Sequence, residues 1–416
     1  MKLKHRKIIA QIETFLLDKK VIVLHGSRQV GKTSIMKYLI NKLSSKYKVL
    51  PKDIFYLDLE DFTFLDICSS GPRNLIQYLE DKYGVSKKKR YIFIDEIQYL
   101  ENPTNFLKLF ADHFQNFKLI VSGSSSFEIK KKFKDSLVGR TINFEIFPLD
   151  FEEFLFFQGK KIKNLTSKVK VVVEELKKLY IEYAIFGGYP EIVLEKNKNK
   201  KTYLLKQIIN TYLRKDIRDL ANIKQMHKFN RLLRVLADQA GSLLNILELS
   251  NTLKLSQATV ENYLFILENT YIIRRIYPYY KNIRSELTKH PKIYFEDTGL
   301  ANLLKNNFLL EKLDGHLLEN SLYSEFRKNN DIENINFWRT NTGQEIDFII
   351  TKNKPFPIEV KMKFLNKNSK NLRYFMKKYQ SSNAYFCTLE KIEESNKSNI
   401  KVIYPWQIIK LLFYNP

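Results

Sequence analysis

Short apolar runs alternate with longer amphipathic stretches between residues 21 and 150. Each run has the length of a buried strand, and the stretches between the runs are long enough for helical crossovers. The pattern therefore predicts an α/β module, a parallel sheet with helices on both faces. The predicted strands are Val21 to His25, Ile54 to Leu59, Tyr91 to Ile94, Leu119 to Ser122, and Thr141 to Phe147.

The periodicity changes in the second half of the chain. From Asn164 to about Lys224 it is helical and broken around Gly187, which predicts a small helical appendage. Three short helices and a β-ribbon then follow, an order typical of a winged helix, and after Gly315 come a helix, a hairpin, a strand and a helix. The middle segment's helices are Phe229 to Ala240, Ile246 to Leu253 and Gln257 to Glu268, and its strands are Tyr271 to Tyr277 and Lys292 to Phe295.

The chain is strongly basic, since 70 Lys and Arg residues against 45 Asp and Glu leave a formal charge of +25 over 416 residues. Such a surplus favours phosphate-rich partners or an anionic membrane surface. A coding bias toward Lys, Ile and Asn would give the same surplus with no nucleic-acid partner. Charge alone therefore leaves nucleic-acid binding open.

Chain length and cysteine usage further narrow the class of protein. A chain of this length predicts several domains, and 44% hydrophobic residues suffice for ordinary cores. Cys68 and Cys387 lie far apart, which fits neither a disulfide framework nor a zinc site. No run approaches the roughly 20 apolar residues that span a bilayer. We expect a cytoplasmic protein with no membrane partner.

A glycine-rich segment, GSRQVGKT, follows the first predicted strand and precedes an amphipathic helix, which is the context a P-loop requires. Gly26 and Gly31 allow backbone N–H groups to point inward at a β-phosphate. Lys32 can reach the β- and γ-phosphate oxygens, and the Thr33 hydroxyl can bind Mg²⁺. We expect ATP to be bound by Gly26, Ser27, Arg28, Gln29, Val30, Gly31, Lys32, Thr33 and Ser34.

Two carboxylates end the third predicted strand, in the segment YIFIDEIQ. They emerge at the carboxyl edge of the sheet, where nucleotide sites of open α/β folds lie. Asp95 is suited to hold the Mg²⁺ shell, and Glu96 is suited to orient or deprotonate the attacking water. Burying an apolar strand needs no acidic pair, so the pair predicts ATP hydrolysis.

Together the two motifs resemble an AAA-type ATPase of the additional-strand, catalytic-glutamate class. The resemblance implies that Ser122, at the end of the next strand, contacts the γ-phosphate, with Ser124 as a neighbour. It implies that Arg140, at the end of the following helix, is the arginine finger; the alternative is a solvated cation at a helix end. A finger that acts in a neighbouring subunit would require a homo-oligomer.

The helical appendage resembles the lid of related signalling ATPases. There, GGYP at Gly187 to Pro190 would line the nucleotide base, although the same tetrapeptide is a common loop. Arg214 and Asp216 either link lid and base or form a surface charge pattern.

The middle segment has candidate DNA contacts. Ser256 is a good N-cap, and the helix after it should present Gln257, Thr259 and Asn262 outward. Polar residues at the start of a recognition helix suit the major groove, and basic wing residues could hold phosphate, namely Arg274, Arg275 and Lys281 to Arg284. Winged helices also serve as couplers or protein-binding modules, so a protein partner stays open.

The C-terminal segment carries a second constellation, in GQEIDFIITKNKPFPIEVKMK. Glu359 and Lys361 share one face of a strand. A hairpin turn near residues 353 and 354 would place Asp347 opposite Lys361 on that face. Two carboxylates can hold a divalent ion and Lys361 can polarise a phosphodiester, while Glu319 could supply a further acidic ligand.

This segment resembles the PD-(D/E)xK, or restriction-endonuclease-like, fold. With the upstream half, nearly the whole chain resembles prokaryotic AAA-type ATPases fused to a C-terminal domain of unknown function with that fold. The resemblance implies an ATPase core (1–158), a helical lid (159–225), a winged helix (226–300) and an α/β nuclease-like domain (312–416). The alternative for the C-terminal domain is a salt-bridged hairpin in a nuclease-like domain that no longer cleaves.

The function expected is a DNA-associated switch, in which ATP binding and hydrolysis gate the winged helix and a metal-dependent nuclease-like domain. The alternative is a signalling or scaffold ATPase that binds a protein partner through an inactive nuclease-like adaptor. The hypothesis of a helicase or translocase is weaker, because no strand-separating element is evident in the sequence.

Overall fold

The computed structural model describes residues 3–124, 137–161, 164–213, 217, 223, 225–279, 290–306, 312–329, 332–351, 354–364, 369–390 and 399–410. The chain divides into two compact units. The first contains residues 1–147, 210–223 and 269–271, and the second contains the remainder, 148–209, 224–268 and 272–416. The four segments expected from sequence are thus grouped as two.

The first unit is built on a five-stranded sheet in the order β2-β3-β4-β1-β5. Every pair of neighbouring strands is parallel, which confirms the α/β prediction. β4 lies between β1 and β3, so one strand separates the P-loop strand from the strand that ends in Asp95. The strands are β1 (Val21–Gly26), β2 (Ile54–Asp58), β3 (Arg90–Asp95), β4 (Phe117–Ser124) and β5 (Thr141–Glu145).

Helices cover this sheet and bury its apolar residues. The central strands are apolar on both faces because helices pack on both sides of a parallel sheet. One core cluster includes Ile92, Val121 and Leu107, all fully buried or nearly so. The helices are α1 (Ile8–Thr14), α2 (Lys32–Ser45), α3 (Phe62–Ser69), α4 (Pro72–Tyr83) and α5 (Pro103–His113).

The second unit begins with helices and includes the predicted helical appendage and middle segment. Two strands follow, β6 (Ile273–Ile276) and β7 (Lys292–Phe295), and they pair antiparallel as the predicted ribbon requires. The first is shorter than expected, because Tyr271 takes a left-handed backbone with φ of 59°. The helices are Phe151–Phe157, Lys170–Phe186, Pro190–Leu194, Lys198–Thr211, Met226–Asp238, Ile246–Leu253, Gln257–Asn269 and Thr298–Asn306.

Short polar side chains start several helices at the places where the sequence pattern changes. Each accepts a hydrogen bond from a backbone N–H group of the first turn, which would otherwise lack a partner. The predicted cap Ser256 accepts from Thr259 N at 3.1 Å. The same arrangement is found at Asp61, Asn102, Asp150 and Asn245.

The C-terminal part of the second unit is a mixed five-stranded sheet in the order β12-β11-β10-β9-β8. β8, β9 and β10 are antiparallel, and β10, β11 and β12 are parallel. The helix Lys370–Tyr379 packs Leu372 and Phe375 into the core beside Trp338. The helix Gly315–Asn329 precedes the sheet, whose strands are β8 (Ile335–Arg339), β9 (Glu345–Thr351), β10 (Pro355–Val360), β11 (Ala384–Cys387) and β12 (Ile400–Ile403).

The β9–β10 register differs from the expectation. Ile358 pairs with Phe348, so continuing the ladder places Asp347 across from Glu359, and the predicted pairing with Lys361 is wrong. The difference is two residues. Because side chains alternate with a period of two, the shift leaves the predicted residues on one face.

The GGYP loop is explained by packing. A Cβ on Gly188 would lie 2.2 Å from the carbonyl oxygen of Leu149, and one on Gly187 would lie 2.2 Å from Asp297 Oδ1. Only glycine fits such close approaches. Arg214 and Asp216 lie outside the described residues.

Candidate functional site

The P-loop connects β1 to α2 in a conformation that depends on glycine. A Cβ on Gly26 would lie 2.1 Å from the carbonyl oxygen of Ile146, and Gly31 has a φ of 97°. Gln29 is also left-handed, with a φ of 62°. Alternating backbone handedness turns successive N–H groups toward one centre, which is how backbone cradles an anion. Of the other loop residues, Ser27 and Val30 are buried, whereas Ser34 is exposed and Arg28 half-buried.

Lys32 begins α2 and turns its side chain back over the loop. Its Nζ donates to the carbonyl oxygens of Gly26 at 3.0 Å and Ser27 at 2.9 Å, and the residue is only 5% exposed. The ammonium group and the positive end of the helix therefore face the same place. This is the predicted position for a group that binds phosphate oxygens.

Asp95 joins the predicted second motif to the P-loop. Its Oδ2 accepts from the hydroxyls of Thr33 at 2.7 Å and Tyr56 at 2.8 Å, and its Oδ1 accepts from Ser122 Oγ. The structure thus brings together Thr33, Asp95 and Ser122, which were predicted separately. Burial, together with the neighbouring Asp95 carboxylate, raises the pKa of Tyr56, so its hydroxyl remains a donor.

Glu96 follows Asp95 with a left-handed backbone, φ 55°, which turns its side chain away from the strand. Its N–H donates to Asp95 Oδ1 at 3.1 Å and weakly to Ser122 Oγ at 3.4 Å. The carboxylate is half-buried and accepts from the amide of Gln98. Glu96 is therefore fixed at the carboxyl edge of the sheet beside the P-loop.

Arg140 and the P-loop are not brought together within one chain. The Arg140 carbonyl accepts from Val21 N at 2.9 Å, at the amino end of β1, whereas the P-loop begins at the other end, about 16 Å away at 3.3 Å per residue. Its guanidinium binds Asp112 at 2.7 and 3.2 Å. The helix expected before it falls at residues 125–136, outside the described part, as does the Ser124 side chain.

Arg6 is a loop contact that the sequence did not reveal. It is 7% exposed, and its guanidinium donates to the carbonyl oxygens of Val30 and Phe147, each at 2.9 Å. Buried arginine is rare unless its donors are satisfied. In the sequence Arg6 stands among other basic residues, so nothing marked it as structural.

The predicted C-terminal residues form a second cluster. Lys361 Nζ donates to Asp347 Oδ2 at 2.9 Å and pairs with Glu359 Oε1 at 3.0 Å. The N–H of Val360 also donates to Asp347 Oδ2, at 2.8 Å. Burial, and secondarily the nearby Asp347 carboxylate, raises the pKa of Glu359 to about 8. Burial likewise raises the pKa of Glu319, helped by Asp347.

A lysine from β7 enters this cluster, although no sequence pattern predicted it. Lys292 Nζ lies 2.7 Å from Glu345 Oε1, 3.2 Å from Glu319 Oε1 and 4.0 Å from Asp347 Oδ1. Burial lowers its pKa, but these carboxylates outweigh burial and raise it overall. Across the described ranges, no three His, Cys, Asp or Glu side chains are arranged as a metal-binding group.

Two of the predicted DNA contacts are engaged internally. Arg275 binds Glu268 at 2.7 Å and Glu261 at 2.8 Å, and Arg274 lies 3.7 Å from Glu296. These arginines therefore brace the ribbon, contrary to the expectation that they would hold phosphate. Lys281 to Arg284 lie outside the described residues. On the predicted recognition helix, Gln257 and Asn262 are exposed and Thr259 is half-buried.

Comparison with family models divides the chain into three matches. Residues 18–155 match an AAA domain. Residues 177–311 match a domain of unknown function, DUF8612, and residues 314–409 match another, DUF4143. The first match covers the parallel sheet, the P-loop and the Asp95 cluster.

The chain also has relatives of similar length. An uncharacterized protein of Methanocaldococcus jannaschii is 29% identical over 83% of this chain and 76% of its own. An uncharacterized protein of Haemophilus influenzae is 28% identical over 70% of this chain and 74% of its own.

Solved structures also resemble parts of the chain. The Walker-type ATPase PABY2304 of Pyrococcus abyssi aligns with a TM-score of 0.43 and 13% identity, over 73% of this chain and 96% of that one. The ORC1 protein of Aeropyrum pernix in complex with DNA aligns with a TM-score of 0.33 and 14% identity, over 74% of this chain and 94% of that one.

The fold, the phosphate-binding loop and the match to an AAA domain support an AAA-type ATPase and ATPase activity in general. The C-terminal segment matches a domain family whose function is unknown. In the part of the chain that the structure describes, no helix is both long and apolar enough to cross a membrane.

Proposed function

We propose that this protein is an ATP-binding and ATP-hydrolysing, DNA-associated switch, whose nucleotide state gates a winged helix and a nuclease-like domain. One observation carries the ATPase half of the proposal. The Asp95 carboxylate accepts a hydrogen bond from Thr33 of the P-loop at 2.7 Å, so the two motifs form one site.

In this proposal each residue has a defined task. Lys32 and the loop N–H groups bind the phosphates, and Glu96 orients and deprotonates the attacking water. Ser122 contacts the γ-phosphate. The oxygen donors Thr33 Oγ1 and Asp95 Oδ2 fit Mg²⁺, which prefers such ligands and would neutralise phosphate charge when bound.

The order of elements supports a restriction-endonuclease-like C-terminal domain. A helix, three antiparallel strands, a second helix and two parallel strands follow one another from Gly315 to Ile403. Asp347, Glu359 and Lys361 lie together on β9 and at the end of β10. Asp347 and Glu359, with Glu319, would be the divalent-cation ligands once freed of their lysine partners, because their present arrangement does not form a metal-binding group. Lys361 would contact the phosphodiester.

Two features support DNA as the partner. The formal charge of +25 favours a polyanion, and the exposed Gln257 and Asn262 start a helix of the type that enters a major groove.

A scaffold role for a protein partner is the second candidate. It is favoured by the ammonium groups of Lys292 and Lys361, which already pair with the C-terminal carboxylates, and by the internal pairing of Arg275. In that case the nuclease-like domain would be an inactive adaptor.

ATP binding and turnover by the full chain test the proposal. Lys32→Ala should abolish ATP binding, because the proposed site loses the ammonium group that would bind the phosphate oxygens. Glu96→Gln should bind ATP normally and lose turnover by about 100-fold or more, the usual scale for general-base catalysis. Calorimetry and phosphate release measure the two effects.

The same assay, run with and without duplex DNA at two salt concentrations, separates the candidates. DNA-stimulated turnover with affinity that falls steeply as salt rises supports the DNA-associated switch. Turnover indifferent to DNA favours the scaffold. Normal hydrolysis by Lys32→Ala or Glu96→Gln would refute the assigned roles.

A further inference from the structure

Lys292 occupies the middle of the C-terminal carboxylate cluster, although it belongs to a different segment of the chain. It is the first residue of β7, and it is 2% exposed. Its Nζ contacts Glu345, Glu319 and Asp347, and it lies over the ring of Phe337, 5.6 Å from the ring centre. The cluster therefore already binds cations that the protein itself supplies, and Lys292 is one of them.

Carboxyl groups outnumber cationic side chains in this arrangement. Four carboxylates meet three cationic side chains, because Arg339 also pairs with Glu345 at 3.0 Å. Glu359 is 6% exposed, and its Oε2 is buried without a hydrogen-bond partner in the described structure. An orphaned buried carboxylate oxygen is costly unless a cation or donor reaches it. The four carboxylates are Glu319, Glu345, Asp347 and Glu359.

A lysine ammonium and a divalent cation compete for the same oxygens. Lys292 engages Glu319 and Asp347, two of the three carboxylates assigned to the cation in the proposed nuclease-like site. A divalent ion at these oxygens would be strongly repelled by the adjacent Lys292 ammonium. The ammonium must leave before both carboxylates can coordinate a metal ion.

We propose that Lys292 is a built-in blocking cation, which keeps divalent metal out of the C-terminal carboxylate cluster. The inference rests on the proposed nuclease-like role of that cluster. It names the regulation of the site: the position of the Lys292 ammonium, not the supply of metal, decides whether the site is loaded.

Tyr294 strengthens the connection between the ribbon and the cluster. Its hydroxyl donates to Glu319 Oε1 at 2.6 Å, from the same strand and two residues beyond Lys292. Residues two apart on a strand share a face, so β7 presents both groups to the cluster together. Two side chains of one buried strand therefore hold Glu319.

Mn²⁺ binding to the full chain without nucleotide tests the inference. A Thr33→Ala background removes a P-loop ligand, so that the count reports the C-terminal cluster. Lys292→Met keeps the length of the side chain and removes the charge. We expect this variant to gain one Mn²⁺ site. Its Mn²⁺ affinity should be at least about tenfold higher than that of any Asp347-dependent site in the parent, and the site should be lost when Asp347→Asn is added.

Glu345→Gln is the second variant, because it removes the shortest contact of Lys292 and leaves the proposed ligands intact. It should give an intermediate Mn²⁺ affinity and keeps the test decisive if Lys292→Met does not fold. Lys201→Met is the matched control: Lys201 is a buried lysine that pairs with Glu182 at 2.7 Å outside the cluster. It should gain no Mn²⁺ site.

The inference is overturned if folded Lys292→Met or Glu345→Gln gains no Mn²⁺, or if the parent already binds Mn²⁺ as tightly at an Asp347-dependent site. ATP turnover, measured in the same substitutions with Thr33 restored, reports on the P-loop separately. Normal turnover with no gain in Mn²⁺ would reject the blocking lysine and leave the proposed ATPase intact.

Discussion

At the scale of single residues, the proposed nucleotide site depends on how many donors reach one carboxylate. Asp95 is 2% exposed, and a buried carboxylate needs several hydrogen bonds. Thr33, Tyr56 and Ser122 supply them from three different elements. These contacts fix the loop against the sheet before any phosphate arrives, which spares the site the cost of ordering during binding.

Gly26→Ala tests whether the loop depends on the missing side chain. Its Cβ would lie 2.1 Å from the carbonyl oxygen of Ile146, so the backbone has to shift. We expect the free energy of unfolding to fall by about 1–3 kcal/mol, the usual cost of overpacking, and ATP affinity to fall with it. Chemical denaturation and calorimetry measure these changes.

Gly315→Ala is the matched control for that substitution. Gly315 is the first residue of its helix, and an added Cβ would meet nothing within 4 Å. Its stability should stay unchanged or rise by less than about 1 kcal/mol, because alanine favours helix. Equal losses in the two variants would contradict the steric explanation.

At the scale of elements, the sequence predicted most of what is regular and little of what is long-range. The strands were predictable because buried parallel strands are short apolar runs between amphipathic helices. The Gly26 to Thr33 motif was predictable because loop chemistry is local. Tyr56 lies 39 residues from its partner Asp95, and Lys292 lies 27 from Glu319, so no local pattern could reveal either contact.

Asp297 connects two elements, and the sequence did not predict this connection either. Its buried carboxylate accepts from Gly188 N at 2.8 Å, Gly299 N at 2.9 Å and Leu300 N at 3.2 Å. It thereby caps the helix Thr298–Asn306 and holds the loop that contains Gly188.

Asp297→Ala should lower the free energy of unfolding by roughly 2–3 kcal/mol, because about 1 kcal/mol is lost for each hydrogen bond. Asp297→Asn keeps one acceptor oxygen and should lose less. Thermal and urea denaturation of both variants provide the comparison.

Asp314→Ala separates this connection from ordinary capping. Asp314 Oδ1 accepts from Leu317 N at 2.7 Å, and its side chain is 41% exposed. Its loss should cost about 1 kcal/mol. If Asp297→Ala cost no more than Asp314→Ala, the Gly188 contact would contribute nothing.

At the scale of the whole molecule, the chain divides into two compact units, while the four-domain division stays a prediction. The sequence separated the helical appendage, the middle segment and the C-terminal segment because the periodicity changes between them. Contacts between these segments join them: Tyr183 donates to Glu325, and Tyr180 bonds Ser321 at 2.9 Å. Periodicity reports each element's own buried face but not which distant element covers it.

The position of Arg140 leads to a prediction about assembly. Within one chain it lies at the amino edge of the sheet, bound to Asp112, so a finger role requires a neighbouring subunit. Arg140→Ala and Lys32→Ala should each be inactive alone. Mixed together, they should recover part of the wild-type ATP turnover, because a Lys32→Ala subunit supplies Arg140 to an intact P-loop. Asp112→Ala keeps the arginine and should remain active. If the mixture stays inactive while both variants are folded and associated, Arg140 serves only its ion pair with Asp112.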